Sequence, residues 1–178
     1  MPQSLAATRN ALRRFRRNRR GSAVVEFALV APLFFGLLFA IIEVALMFFA
    51  SQVLETVTQD AARTILTGQA QTGAYTQQMF KDNLVCPKVV ALFDCKNGIY
   101  VDVQSYSQFA TVNITDPITA GSFVPPNNYS PGGPGDIVVV RLFYQWPIFV
   151  TKFGFNIANL TGSKRLLTAT AAFKNEPY

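Results

Sequence analysis

Few residues in this chain have the type and spacing to do chemistry. No histidine occurs anywhere, which removes the commonest general base and the commonest metal ligand together. The two cysteines, Cys86 and Cys95, cannot alone close a tetrahedral zinc site, and their spacing is not the C-x-x-C of a redox pair. A hydrolase needs a nucleophile beside an activating base, and no arrangement here nominates one; a Ser–Lys dyad is unsupported. The stretch Pro131-Gly132-Gly133-Pro134-Gly135 lacks a following Lys-Ser/Thr and precedes a strand pattern, so it is no phosphate cradle. The expectation is a protein that is not an enzyme, with no cofactor and no metal. What remains is one carboxylate, Glu26, at the edge of a long apolar run in Gly21-Ser22-Ala23-Val24-Val25-Glu26-Phe27.

A carboxylate is costly there, by about 3 kcal/mol at mid-bilayer on insertion scales and less near the interface. In the simplest account, Glu26 snorkels to the headgroups and is favoured by the dipole at the start of a helix. A functional account uses position. If the chain is cut after Gly21, Ser22 supplies a new amine and Glu26 becomes the fifth residue. Groups four residues apart are neighbours on a helix. The amine of one subunit could also neutralise the acid of another, and so help set axial register when helices pack into a filament.

The elements that must place this motif are a basic head and an apolar span. Seven of the sixteen basic residues precede Gly21, Arg9 and the six anchors Arg13, Arg14, Arg16, Arg17, Arg19 and Arg20, with no acid among them. From Gly21 onward nine basic residues face ten acidic ones, a formal charge of −1, so the net +6 belongs to the head. An arginine-rich RNA-binding segment or a free amphipathic helix on anionic lipid would look similar. The arginines abut the apolar run without a linker, which favours anchoring on the cytoplasmic side of a membrane and no nucleic-acid role.

Ala28 to Ala50 is 23 residues with one charge, Glu43. As a helix it covers about 34 Å, enough for a hydrocarbon core of about 30 Å. Pro32 and Gly36 are tolerated in membrane helices. The run is too long for a secretory signal, and bulky Phe48-Phe49-Ala50 offers no small-residue cleavage site. The N-terminus then faces the cytoplasm and the C-terminal part lies outside.

A basic leader, Gly, four residues, Glu, an aromatic and an apolar helix resemble the processing signal of type IV prepilins. The fuller pattern, from Gly21 through Phe27-Ala28-Leu29-Val30-Ala31-Pro32, resembles the TadE-like pseudopilins of tight-adherence (Flp) pilus systems. Ile41-Ile42-Glu43, Asp60-Ala61-Ala62-Arg63, the paired cysteines and the closing Phe173-Lys174-Asn175-Glu176-Pro177-Tyr178 also fit. The resemblance implies cleavage between Gly21 and Ser22 by a prepilin peptidase. It implies a minor subunit or primer of pilus assembly in the bacterial inner membrane, serving surface adhesion and biofilm formation. Its partners would be that peptidase, other pilin and pseudopilin subunits, the pilus assembly platform and inner-membrane lipid. The major Flp pilins are very short and usually carry Tyr beside the glutamate; Phe27 and a large outer domain argue against the bulk fibre subunit. A rival is an uncut single-pass inner-membrane protein whose outer domain binds a partner.

Glu43 lies 17 residues beyond Glu26, where it can snorkel to the outer headgroups or meet a partner inside a helix bundle. Beyond Ala50, Val53, Val57, Ala61 and Ile65, with Leu54 beside them, predict that the helix continues as a stalk to about Thr67, stopped by Gly68. Arg63 reads as a surface or docking charge. Tyr75, Met79, Phe80 and Leu84 predict a short helix leading to Cys86. Cys86 and Cys95 lie outside the membrane on this topology, where an oxidising compartment favours a structural disulfide of about 2–3 kcal/mol.

Ile99 onward reads as a half-buried strand towards Val112 or Ile114, with Tyr100, Asp102 and Gln104 on its other face. Ile137–Trp146 and Lys164–Phe173 read as further strands. Pro117–Asp136 is a loop of turn formers, and Pro147–Gly162 a connection with room for a short helix. Phe143, Tyr144 and Trp146 read as core rather than a binding platform. The fold class is α+β: a leader over 1–21, a helix over 22–67 that spans the membrane at about 28–50, and an antiparallel outer domain over 68–178 whose apolar face covers the stalk.

Overall fold

The computed structural model describes residues 21–89, 91–150 and 156–178. Helix α1, Ser22–Leu66, runs unbroken for 45 residues through Pro32. By its internal contacts the chain divides within this helix, into Met1–Ile41 and Ile42–Tyr178.

In the first unit, every Val, Leu, Ile and Phe from Val24 to Ile41 is exposed, Leu33 to 75%. A helix apolar on all sides and buried on none has the composition of a membrane span, and α1 is long and apolar enough to cross one.

In the second unit, a buried stripe appears on α1 at Met47, Ala50, Leu54, Val57, Ala61 and Ile65. Steps of three and four keep these residues on one side of a 3.6-residue turn. That is why Leu54 is fully buried, whereas Val53 only flanks the core. Thr58 is buried in the same stripe, its hydroxyl satisfied by donating to the Leu54 carbonyl at 2.7 Å.

Three antiparallel strands cover the stripe in the order β1-β4-β5: β1 Ile99–Tyr106, β4 Ile137–Pro147 and β5 Lys164–Lys174. The register Val101↔Leu142↔Ala169 and Val103↔Val140↔Ala171 puts one set of alternating side chains on the helix side. Ile99, Val101, Val103, Val138, Val140, Leu142, Leu167 and Ala169 share a core with Leu54, Val57, Ala61 and Ile65. Each such aliphatic side chain contributes about 1.5–3 kcal/mol on full burial.

The sheet is not half-buried as its alternation predicts. Its far face carries a second cluster of Phe143, Leu160 and Leu166, joined by Tyr100, Ile118 and Phe123. A hairpin within the Pro117–Asp136 loop supplies two of these: β2, Ile118–Thr119, pairs with β3, Ser122–Phe123. Covering both faces explains the continuous Ile137-Val138-Val139-Val140 run, which alternation alone would not need. Strand β1 stops at Tyr106, short of Val112, and a 3-10 turn at Phe109–Thr111 follows. The Tyr106 hydroxyl donates back to the Asn113 carbonyl at 2.9 Å, tying down this return.

The stalk ends where expected. Gly68 has φ 75°, the left-handed conformation that terminates many helices. A Cβ there would come within 2.4 Å of the Tyr178 ring. The C-terminus crosses this helix end, with Glu176 N donating to the Leu66 carbonyl at 3.0 Å and so satisfying one of the last-turn acceptors. Asn175, buried beside it, donates from Nδ2 to the Pro131 and Gly133 carbonyls, each at 3.0 Å. Gln71 Nε2 reaches the same Pro131 carbonyl at 2.9 Å. The glycine-rich loop is thus a structural clasp on the stalk's end.

Candidate functional site

Helix α1 carries two acids in its apolar half, and they stand in different chemistry. Gly21 is exposed, lies in a 3-10 turn directly before α1, and has no described residue within 4 Å of a Cβ added to it. Nothing in the described residues requires a glycine here. Ser22 begins the helix and donates from Oγ to Glu26 Oε1 at 2.9 Å, both groups exposed. Positions 22 and 26 are therefore adjacent on the helix surface, as the four-residue spacing predicts. The arginines of the head, Arg13, Arg14, Arg16, Arg17, Arg19 and Arg20, lie outside the described residues.

Glu43 has a partner that spacing did not identify. Its two carboxylate oxygens accept from consecutive backbone amides, Phe149 N on Oε1 and Val150 N on Oε2, the latter at 2.9 Å. This contact lies within the second unit and is a third account of the acid beside snorkelling and a partner in a helix bundle. The acid closes the rim of its own outer domain across more than a hundred residues of sequence. Ile148, buried, leads into the rim and donates its N–H to the Ser163 carbonyl at 2.8 Å. In the expected Pro147–Gly162 connection, residues 151–155 lie outside the described residues, and the described part before them is not helical.

Cys86 and Cys95 are joined, with Cα atoms 5.6 Å apart. The bridge holds a loop that seats Phe93 edge-on to Tyr144 at 4.9 Å and to Trp146 at 6.3 Å. Phe143 and Trp146 are buried and Tyr144 flanks the core, so the aromatics of β4 are core and no platform. The short helix expected before Cys86 is present as Gln77–Phe80, with a π turn at Lys81–Val85. Beside it, Gln77, Gln78, Lys81, Tyr100 and Pro125 line a cleft of about 260 Å3. Burial pushes the Lys81 amine below its usual range, opposed by the charges of Asp82 and Asp94, and its Nζ donates to the Lys96 carbonyl at 2.8 Å.

The far face of the sheet holds a charged network that the sequence reading missed. Asp102 is 1% exposed, yet it pairs with buried Arg141 through Nε at 2.9 Å and Nη2 at 2.7 Å, both onto Oδ2. Asn128 Nδ2 and Gln104 Nε2 also donate to the carboxylate, at 2.9 Å each in their shorter contacts. Arg141 Nη1 donates to the Thr115 carbonyl at 3.0 Å, and its guanidinium lies 5.2 Å over the Phe143 ring. A carboxylate so fully occupied with ion-pair and amide donors is a structural tie between β1, β4 and the 107–136 segment. The available signal was the presence of one acid and one arginine in strands otherwise built of apolar residues.

This is an α+β protein whose leading helix has the length and surface of a membrane anchor and whose sheet clasps that helix's far half. Residues 21–63 match the family model described as TadE-like protein, so the anchor and most of the stalk are TadE-like. The matched segment runs from Gly21 to Arg63, taking in the motif, the whole apolar run and Glu43. No curated protein and no solved structure matches the chain.

Proposed function

We propose that the chain is a non-enzymatic, minor pilin-like subunit of a tight-adherence pilus system, cut between Gly21 and Ser22 by a prepilin peptidase. The observation that carries this is Gly21 itself. Among the described residues nothing crowds a side chain at Gly21 and nothing calls for a glycine there, which leaves its identity to something that reads it. A peptidase needs that peptide bond reachable and unencumbered. The TadE-like match beginning at Gly21 supports the same reading.

After the cut, the Ser22 ammonium lies one turn from Glu26, which offsets the burial of both groups in lipid and between packed helices. The arginine head keeps the uncut N-terminus in the cytoplasm, and residues 68–178 lie in the periplasm. The product works in assembly, with other pilin and pseudopilin subunits and the inner-membrane assembly platform, and through the pilus in adhesion and biofilm formation. The cleft beside Gln77 and Tyr100 favours a second reading, an uncut inner-membrane protein whose outer domain binds a partner.

Two variants separate these. Gly21→Val should leave the protein folded but full-length on a gel of cell membranes, and abolish piliation. Glu26→Gln should permit insertion and cutting while strongly reducing pili. Normal piliation from uncut Gly21→Val would favour the second reading.

A further inference from the structure

The rim closed by Glu43 has a consequence for where the outer domain meets lipid. Glu43 lies within the apolar run, and around it Ile42, Leu46, Phe48 and Phe49 are exposed. The first helix residue that the domain buries is Met47, one turn further on. The domain's rim therefore reaches back along α1 past the start of its own core, to a level where the helix still presents an apolar surface. At that level the rim puts out Phe149, 80% exposed and more exposed than any other large apolar side chain described. Ile148 is fixed in the core behind it, and the Phe149 and Val150 amides are satisfied by the Glu43 carboxylate.

We propose that the Phe149–Val150 rim seats in the outer interfacial layer of the bilayer, and that Glu43 is the residue that holds it there. Three observations select lipid as the occupant. The exposed apolar surface at Ile42–Phe49 is continuous in sequence with the span that begins at Val24. The Phe149 ring carries no polar group, so it gains by leaving water for the boundary of the acyl chains, where interfacial segments bury Phe. A carboxylate and two backbone N–H groups, each costly if carried unpaired to the hydrocarbon boundary, satisfy one another there. Glu43 thus positions the rim, and the rim removes the acid from lipid. The proposal rests on α1 spanning a membrane and is independent of cutting after Gly21.

The test uses the full chain reconstituted in vesicles of phosphatidylethanolamine and phosphatidylglycerol. A nitroxide is placed on Phe149→Cys, with Leu33→Cys marking the span and Thr168→Cys, exposed on β5, marking water. Cys86 and Cys95 are bonded to each other and take no label. The label at 149 should be reached by dissolved oxygen over an aqueous nickel complex several-fold more than the label at 168. Adding Glu43→Ala should bring that ratio down towards the value at 168, and Glu43→Gln, which keeps one acceptor, should bring it down less. A label at 149 as open to nickel as the one at 168, while Leu33→Cys reports lipid, overturns the proposal and leaves the span intact. Spin–spin broadening at 149 that survives dilution with lipid would mean a second copy covers the rim, and overturns it too. Nickel reaching Leu33→Cys would remove the span itself.

Discussion

Two ion pairs show how burial decides what a charge contributes. Lys88 and Asp60 meet at 3.1 Å with side chains 44% and 55% exposed, and such pairs contribute about 0–1 kcal/mol. Asp102 and Arg141 meet at 2.7 Å almost wholly out of water, and removing one partner strands the other. Asp102→Ala should lower stability by about 3–5 kcal/mol in denaturant unfolding, against under about 1 for Lys88→Ala. Equal losses would mean that Arg141 finds solvent on its own. Tyr129 is a different case, a buried hydroxyl with no hydrogen-bond partner among the described residues. Burial, reinforced by Tyr75, pushes its phenol up to about 12 from 10.0. The folded state favours the protonated form, so this contribution is intact below pH 10 and is lost as pH rises from there through about 12. Tyr129→Phe keeps the ring against Phe80, at 5.8 Å in the native chain. It should match or exceed the native melting temperature at pH 7 and soften the fall in stability above pH 10. An unchanged alkaline profile would place that fall on other groups.

At the scale of elements, α1 was legible from end to end because one code serves each half. An apolar run with a single charge marked the span, and apolar residues at every fourth position from Val53 marked the stalk, with Gly68 as its stop, although Leu54 rather than Val53 is the buried one. The strand at Ile137 was legible from its β-branched run, and the one at Lys164 from Thr168 and Thr170 alternating with apolar residues. The second covered face was not, because Tyr100, Asp102 and Gln104 read as a solvated edge, and the β2–β3 hairpin that covers it has only two residues per strand. Glu43's partner was hidden for a related reason: Phe149 N and Val150 N are backbone donors, and their position depends on where β4 ends rather than on side-chain type. Gly68→Ala tests the stalk's end. Left-handed backbone and a displaced Tyr178 ring should together lower stability by at least about 1–2 kcal/mol, and Tyr178→Ala should relieve part of that loss. Full tolerance of Gly68→Ala would deny that the C-terminus clamps the helix. Cys86→Ser should lower stability by about 2–3 kcal/mol, from a loop of nine residues' separation, and loosen Phe93 from Trp146, which tryptophan fluorescence would register.

For the whole molecule, the division of labour runs along one helix. Its first half has no partner within the described residues and the surface of a lipid-embedded rod. Its second half is the spine of a two-faced α+β domain, stapled by one disulfide and clasped at its far end by the C-terminus. The TadE-like match covers the first and most of the second. If the chain is the pilin-like subunit proposed, the membrane delivers it and its helix hands it on once the arginine head is removed. That removal is the claim on which the rest depends. The direct measurement is the N-terminal residue of the protein extracted from the membranes of cells that make it, read by intact mass or Edman degradation. Serine, from Ser22, is the expected result. A chain in those membranes still beginning with its arginine head would contradict the pilin-like assignment and leave an anchored outer domain in its place.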